Sequence, residues 1–184
     1  MDQPFKQIDH TEIYSGRVLD LHVDTVSYQD RTFKWEIVAM GHAVVVVPVL
    51  REDEFIILHQ YRYTARDYIW EFPAGRAEEG ESFETSAQRE LEEECGYRAN
   101  RLIPSLRYYP SRGGLTEQMH LFYDFDLYEK NEASADDDEI IQQRIIHASE
   151  LETMIDSGAI YDAKTILAYY HYKLHKRSLS DAGS

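Results

Sequence analysis

Residues 83–95 leave little freedom of fold. Phe83, Ala87, Leu91 and Cys95 recur every fourth residue, which lines them up along one side of an α-helix. Glu90, Glu93 and Glu94 follow at spacings of three and four, so they share an adjacent side of the same helix. Ser82 stands where an N-cap belongs, and Gly96 where a helix ends in a left-handed turn. Such a helix buries one stripe on a sheet and turns an acidic stripe toward solvent or a ligand. Like charges this close cost a bare helix about 0.2–0.5 kcal/mol per pair. A divalent cation would offset that repulsion, and hard carboxylate oxygens suit Mg²⁺ or Mn²⁺.

The chain around this helix reads mainly as strands. Residues 17–26 alternate apolar and polar from Leu19 to Val23, as a half-buried strand does. Residues 32–39 read as its hairpin partner, with the turn near Gln29-Asp30. The run Ala43-Val-Val-Val-Val-Pro-Val-Leu50 suits a strand buried on both faces, with Pro48 limiting its pairing. A turn at Glu52-Asp53 leads to a strand over 55–61, and further strands are expected near 102–108, 118–126 and 140–147. Residues 129–139 form an acidic loop. Ser149-Glu150-Leu151-Glu152 fits a capping box for a short helix closed by Gly158. A last amphipathic helix is expected from Asp162 to about Lys176, followed by a mobile tail over 177–184. Strands mixed with three helices imply a sheet covered on both faces.

Charge decides which partners to expect. The 184 residues carry a formal net charge of −15, which argues against DNA, RNA or an anionic membrane as partner. A small anion can still bind where a cation reverses the local field. Cys95 is the single cysteine, so no intrachain disulfide can form. No apolar run approaches the roughly 18–20 residues of a membrane span. Residues 1–6 lack the basic and apolar regions of a signal peptide, so the expected location is cytoplasmic.

Read with its flanks, the acidic helix completes a longer pattern. Gly75 is followed after five residues by Glu81, and after seven more by Arg89-Glu90-Leu91-Glu92-Glu93-Glu94-Cys95-Gly96-Tyr97. This resembles the Nudix box with every fixed position filled. The resemblance implies an α/β/α sandwich with a mixed β-sheet over residues 43–176, plus an N-terminal β-hairpin extension over 1–42. It implies Mg²⁺ or Mn²⁺ held by Glu90, Glu94 and Glu93, with the backbone carbonyl of Ala74 as a further ligand. Arg89 would orient a glutamate, and Glu81 would support the ligands or join them. Relatives carry a loop glutamate before a final apolar strand, which points to Glu139 as base or ligand and to Asp137 as its reserve.

Three further segments resemble the ADP-ribose and nucleotide-sugar pyrophosphatases of that family. Gln60-Tyr61-Arg62 precedes Trp70-Glu71-Phe72-Pro73-Ala74-Gly75; Tyr109-Pro110-Ser111 precedes Gly113-Gly114 and Glu117; and Asp162-Ala163-Lys164-Thr165-Ile166 resembles the start of a last helix. The resemblance implies hydrolysis of ADP-ribose or a related nucleoside diphosphate sugar to a nucleoside monophosphate and a sugar phosphate. Arg62 would bind phosphate, or form a surface ion pair. Glu71 would accept from the ribose or base, or pair with Arg62. Trp35 and Tyr28 would stack on the base, or be buried; Glu117 completes the candidate binding set. The N-terminal strands would cross to a second subunit, giving a homodimer with Trp35 near its interface. Arg112-Gly113-Gly114-Leu115 departs from the usual loop and leaves the sugar open. Rival substrates are dinucleoside polyphosphates, nucleoside triphosphates and capped RNA; a rival of another class is a non-catalytic nucleotide sensor.

Overall fold

The computed structural model describes residues 3–130 and 140–182, with side chains through Lys176. The chain divides into two compact units. The first unites Met1–His42 with Tyr108–Gln118. Its three antiparallel strands, β1 (Lys6–Ser15), β2 (Asp20–Tyr28) and β3 (Arg31–Ala39), lie in that order. The β2–β3 turn stands at the expected place, with Gln29 at φ 54°. Residues of the 108–118 segment bond to the end of β3: the Val38 amide donates to Gly114 (2.8 Å), and the Thr116 hydroxyl to the Met40 carbonyl (2.9 Å). Strand β1 was not anticipated. It is exposed at every position, so it carries no burial alternation from which to read a strand.

The second unit unites Ala43–Arg107 with Met119–Ser184. Its mixed sheet has the order β12 (Ile141–His147), β5 (Glu54–Arg62), β4 (His42–Arg51), β10 (Gln118–Asp124), β9 (Leu102–Tyr108). β6 (Asp67–Glu71) pairs with β5 and β7 (Ala74–Arg76) with β4, while β8 (Tyr97–Ala99) and β11 (Leu127–Glu129) form a separate two-stranded ribbon. Strand β4 is buried on both faces, as its valine run requires. Val44 and Val46 cluster with Ile56, Leu58 and Phe122 under Ala87, Leu91 and Cys95 of α1 (Phe83–Cys95). On the other face Phe55 meets Tyr169 and Tyr172 of α3 (Ala163–Ala182), with ring centroids 5.7 and 5.4 Å apart. Neighbouring residues of one strand thus contact α1 and α3 on opposite sides, which makes the expected α/β/α sandwich.

The helix ends show how far spacing rules carry. Ser82 caps α1 by accepting from the Thr85 amide, and Gly96 ends it at φ 72°. Ser82→Ala should lower stability by about 1 kcal/mol, read as a shift in denaturation midpoint. The capping box proposed at Ser149 is corrected: α2 (Ala148–Asp156) starts two residues earlier, and His147 caps it through Nδ1. Helix α3 continues to Ala182, past the expected end near Lys176. Glu129 belongs to β11 rather than to a loop. Glu139 and Asp137 lie outside the described residues. Among the described residues no helix is long and apolar enough to cross a membrane.

Candidate active site

Strand β7 brings the loop to the acidic helix. It pairs with β4 through Val45–Ala74 and Val44–Gly75, and the Val46 amide donates to the Pro73 carbonyl at 2.9 Å. Ala74 and Gly75 are thereby pressed against α1. The Ala74 amide donates to Oε2 of Glu94 at 2.9 Å. A Cβ on Gly75 would stand 2.1 Å from Oε1 of Glu90, so the carboxylate occupies the space that any other residue's side chain would need. Glu94 and Glu90 are both buried, 2% and 9% exposed. Carboxylates are rarely that dry unless something charged answers them.

Arg89 answers part of it. Its Nη1 donates to Glu90 at 2.7 Å and to Glu93 at 3.0 Å, while Nη2 donates to the Arg76 carbonyl at 2.9 Å and to Glu81 at 3.4 Å. Burial works against the guanidinium's charge, but the Glu90 carboxylate and the bonds to Glu81, Glu90 and Glu93 push its pKa well above the ordinary value. A hydrogen bond from Ser86, helped by Arg89, lowers the pKa of Glu81. One guanidinium thus serves three carboxylates, with Glu94 beside them. An all-oxygen, net-negative donor set of this kind fits a hard cation such as Mg²⁺ or Mn²⁺. Cys95 takes no part: it is buried in the core, and burial raises its pKa.

A second polar cluster forms around Glu71, 1% exposed at the end of β6. Oε1 accepts from Nε of Arg62 at 2.7 Å, and Oε2 accepts from Nζ of Lys164. Asp162 caps α3 by accepting from the Thr165 amide at 3.0 Å and holds Lys164 at 3.0 Å. The Thr165 hydroxyl accepts from the Phe72 amide at 2.9 Å. Glu71 therefore pairs with Arg62, the second of the two roles considered for it. In the sequence Lys164 stands out only as part of the segment Asp162–Ile166. Its partner lies 93 residues away in sequence, so no local spacing could reveal the pair.

The remaining candidates lie in the first unit. Trp35, on β3, is 44% exposed and Tyr28 is 39% exposed. Phe5 touches both, with centroids 4.7 Å from Trp35 and 5.1 Å from Tyr28. Residues 34–37 and 112–116 line a cavity of about 680 Å³. Arg112 lies over the Tyr109 ring, 4.0 Å from its centroid, and Glu117 belongs to the same segment.

Known proteins resemble this chain along most of its length. The chain is 36% identical over 173 residues to an ADP-ribose pyrophosphatase of Bacillus subtilis, covering 92% of each protein. It is 35% identical over 173 residues to a methanol dehydrogenase activator of Bacillus methanolicus, covering 93% of this chain and 94% of that one. A GDP-mannose pyrophosphatase of Cronobacter sakazakii is 32% identical over 151 residues, covering 77% of this chain and 78% of that one. A crystal structure of an ADP compounds hydrolase shares the fold with a TM-score of 0.84 at 20% identity, over 96% of each chain. The family model of the NUDIX domain matches residues 40–169, and the acidic helix with its loop lies inside that span: the chain belongs to the Nudix family.

Proposed function

We propose that this protein is a Mg²⁺- or Mn²⁺-dependent pyrophosphohydrolase that cleaves ADP-ribose or a related nucleoside diphosphate sugar to a nucleoside monophosphate and a sugar phosphate. The observation that carries this reading is the pair of buried carboxylates, Glu90 and Glu94, packed against Ala74-Gly75 and flanked by Arg89. The names of the relatives supply the substrate class.

The residues divide the work as follows. Glu90, Glu94 and Glu93, with the Ala74 carbonyl, would hold the cation. When bound, it supplies Lewis-acid polarisation of the diphosphate and a more acidic water. Arg89 keeps Glu90 and Glu93 in place through fixed hydrogen bonds. Glu139 is the base proposed first, with Asp137 in reserve, and Glu93, the more exposed of the Arg89-bound glutamates on α1, is the box glutamate proposed for the same role. Arg62 would bind phosphate while Glu71 orients it. Trp35 and Tyr28 would stack on the base, and Glu117 would help seat the substrate, in a homodimer whose N-terminal strands reach the other subunit's site. The location proposed with this substrate is the cytoplasm.

One panel tests the reading. Purified protein is incubated with Mg²⁺ and ADP-ribose, GDP-mannose, UDP-glucose, NADH or dGTP, and the products are separated by chromatography. AMP and ribose phosphate should appear fastest, and EDTA should stop them. If no diphosphate sugar is cleaved with either Mg²⁺ or Mn²⁺, the proposal fails. Light scattering at micromolar concentration should report twice the chain mass. Gly75→Ala should cut turnover about 100-fold, because a displacement of about 1 Å at a site costs that much and the added methyl must push Glu90 aside. Rates measured beside thermal melts would separate this from unfolding.

A further inference from the structure

The first unit carries its own cluster of potential ligands, built from residues other than the carboxylates of α1. In the β1–β2 register, His10 stands opposite Asp24 and Glu12 opposite His22. Two-residue alternation puts all four on one face of the sheet, as a two-by-two block. Three of them converge. Nδ1 of His10 lies 2.7 Å from Oδ1 of Asp24, and Nε2 of His22 lies 3.9 Å from the same oxygen. The two imidazole centroids are 4.6 Å apart, and one ligand atom from each of the three residues falls within 4.8 Å of the others. Nε2 of Gln7 also donates to Oδ1 of Asp24, at 3.0 Å, which orients the carboxylate.

The geometry points to a binding site for a transition-metal dication of the Zn²⁺ type, held by His10, His22 and Asp24. Two imidazoles and one carboxylate are a donor set for Zn²⁺ or Co²⁺, and a poor one for Mg²⁺. Zn²⁺ bonds its nitrogen and oxygen ligands at about 2.0–2.2 Å, which sets ligand atoms roughly 3.3 Å apart, so the His10–Asp24 pair opens from 2.7 Å and the His22–Asp24 pair closes from 3.9 Å. Glu12, at the fourth corner of the block, or a water would complete a tetrahedron.

A role follows from where the ligands sit. His10 belongs to β1, the strand exposed along its whole length, while His22 and Asp24 belong to β2. An ion shared by the three would cross-link an edge strand that no core holds in place.

The test uses the whole protein and Zn²⁺ alone as probe. Calorimetric titration runs with excess Mg²⁺ present, so that the carboxylates of α1 are occupied. The expected result is a Zn²⁺ equivalent per chain that Glu94→Gln retains and that His10→Gln and His22→Gln each weaken at least tenfold. Asp9→Asn, next to His10 but on the other face, should leave it unchanged. Zn²⁺ should also slow amide exchange along β1 in the parent and not in the histidine variants. If the histidine variants bind Zn²⁺ as the parent does, or if Mg²⁺ displaces all Zn²⁺ from the parent, the site does not exist. Both histidines lie outside the hydrophobic core, and unchanged far-ultraviolet dichroism would confirm that the variants are folded.

Discussion

Glu94→Gln should lower kcat about 1,000-fold or more, roughly 4 kcal/mol at the barrier, while the protein melts within a few degrees of the parent. Glu94 is 2% exposed and accepts from the Ala74 amide at 2.9 Å. Glutamine keeps the volume and retains an oxygen for that amide, so the loop stays docked on α1. What disappears is one negative charge from the set proposed to hold the cation. The control is Glu92 on the same helix, whose carboxylate is paired with Lys130 and lies 3.5 Å from Arg98. Glu92→Gln should change kcat less than about twofold, since exposed ion pairs contribute little. Steady-state rates across a Mg²⁺ series would settle both. Turnover of Glu94→Gln within tenfold of the parent would remove this residue from the proposed site.

The second large effect concerns stability and pH. Asp124, at the end of β10, is fully buried; Oδ1 accepts from the Asp126 amide at 2.9 Å, and Oδ2 has no hydrogen-bond partner among the described residues. Burial, against the partial help of that amide, raises its pKa to about 7 from an ordinary 3.8. The folded chain therefore holds a proton that the unfolded chain releases near pH 4. Stability from this group is fully present below about pH 4 and is lost as pH rises through about 7, up to roughly 4 kcal/mol in total. Asp124→Asn is neutral throughout and keeps an acceptor for the Asp126 amide. The variant should match the parent near pH 4.5 and gain on it steadily up to pH 8. Denaturant unfolding at a series of pH values would show the difference. A constant difference across that range would mean that Asp124 ionises normally in the folded state.

These two groups also mark the limits of reading the chain as text. Helix α1 was legible almost atom by atom, because its apolar period, its Ser82 cap and its Gly96 terminator all describe the same thirteen residues. The strand β4 announced itself through four consecutive valines. Strand β1 gave no such signal, since pairing with β2 holds it without burying any face. The His147 cap was missed because imidazole is not among the usual capping side chains and Ser149 offered a conventional one. Pairing with Arg62 was one of two roles that the sequence left open for Glu71, and its second partner, Lys164, comes from another element altogether. The protonation of Asp124 was equally hidden, because it depends on what surrounds the residue and not on its neighbours in the chain.

The attachment of α3 determines where this protein tolerates shortening. Lys164 and Thr165 tie the first turn of that helix to Glu71 and Phe72, and Lys176 reaches Asp53 at 2.8 Å. A stop codon placed before residue 163 would strip a buried glutamate of a cation and a buried amide of its acceptor, so the remaining fragment should accumulate in inclusion bodies. A purification tag appended after Ser184 leaves every one of those ties untouched.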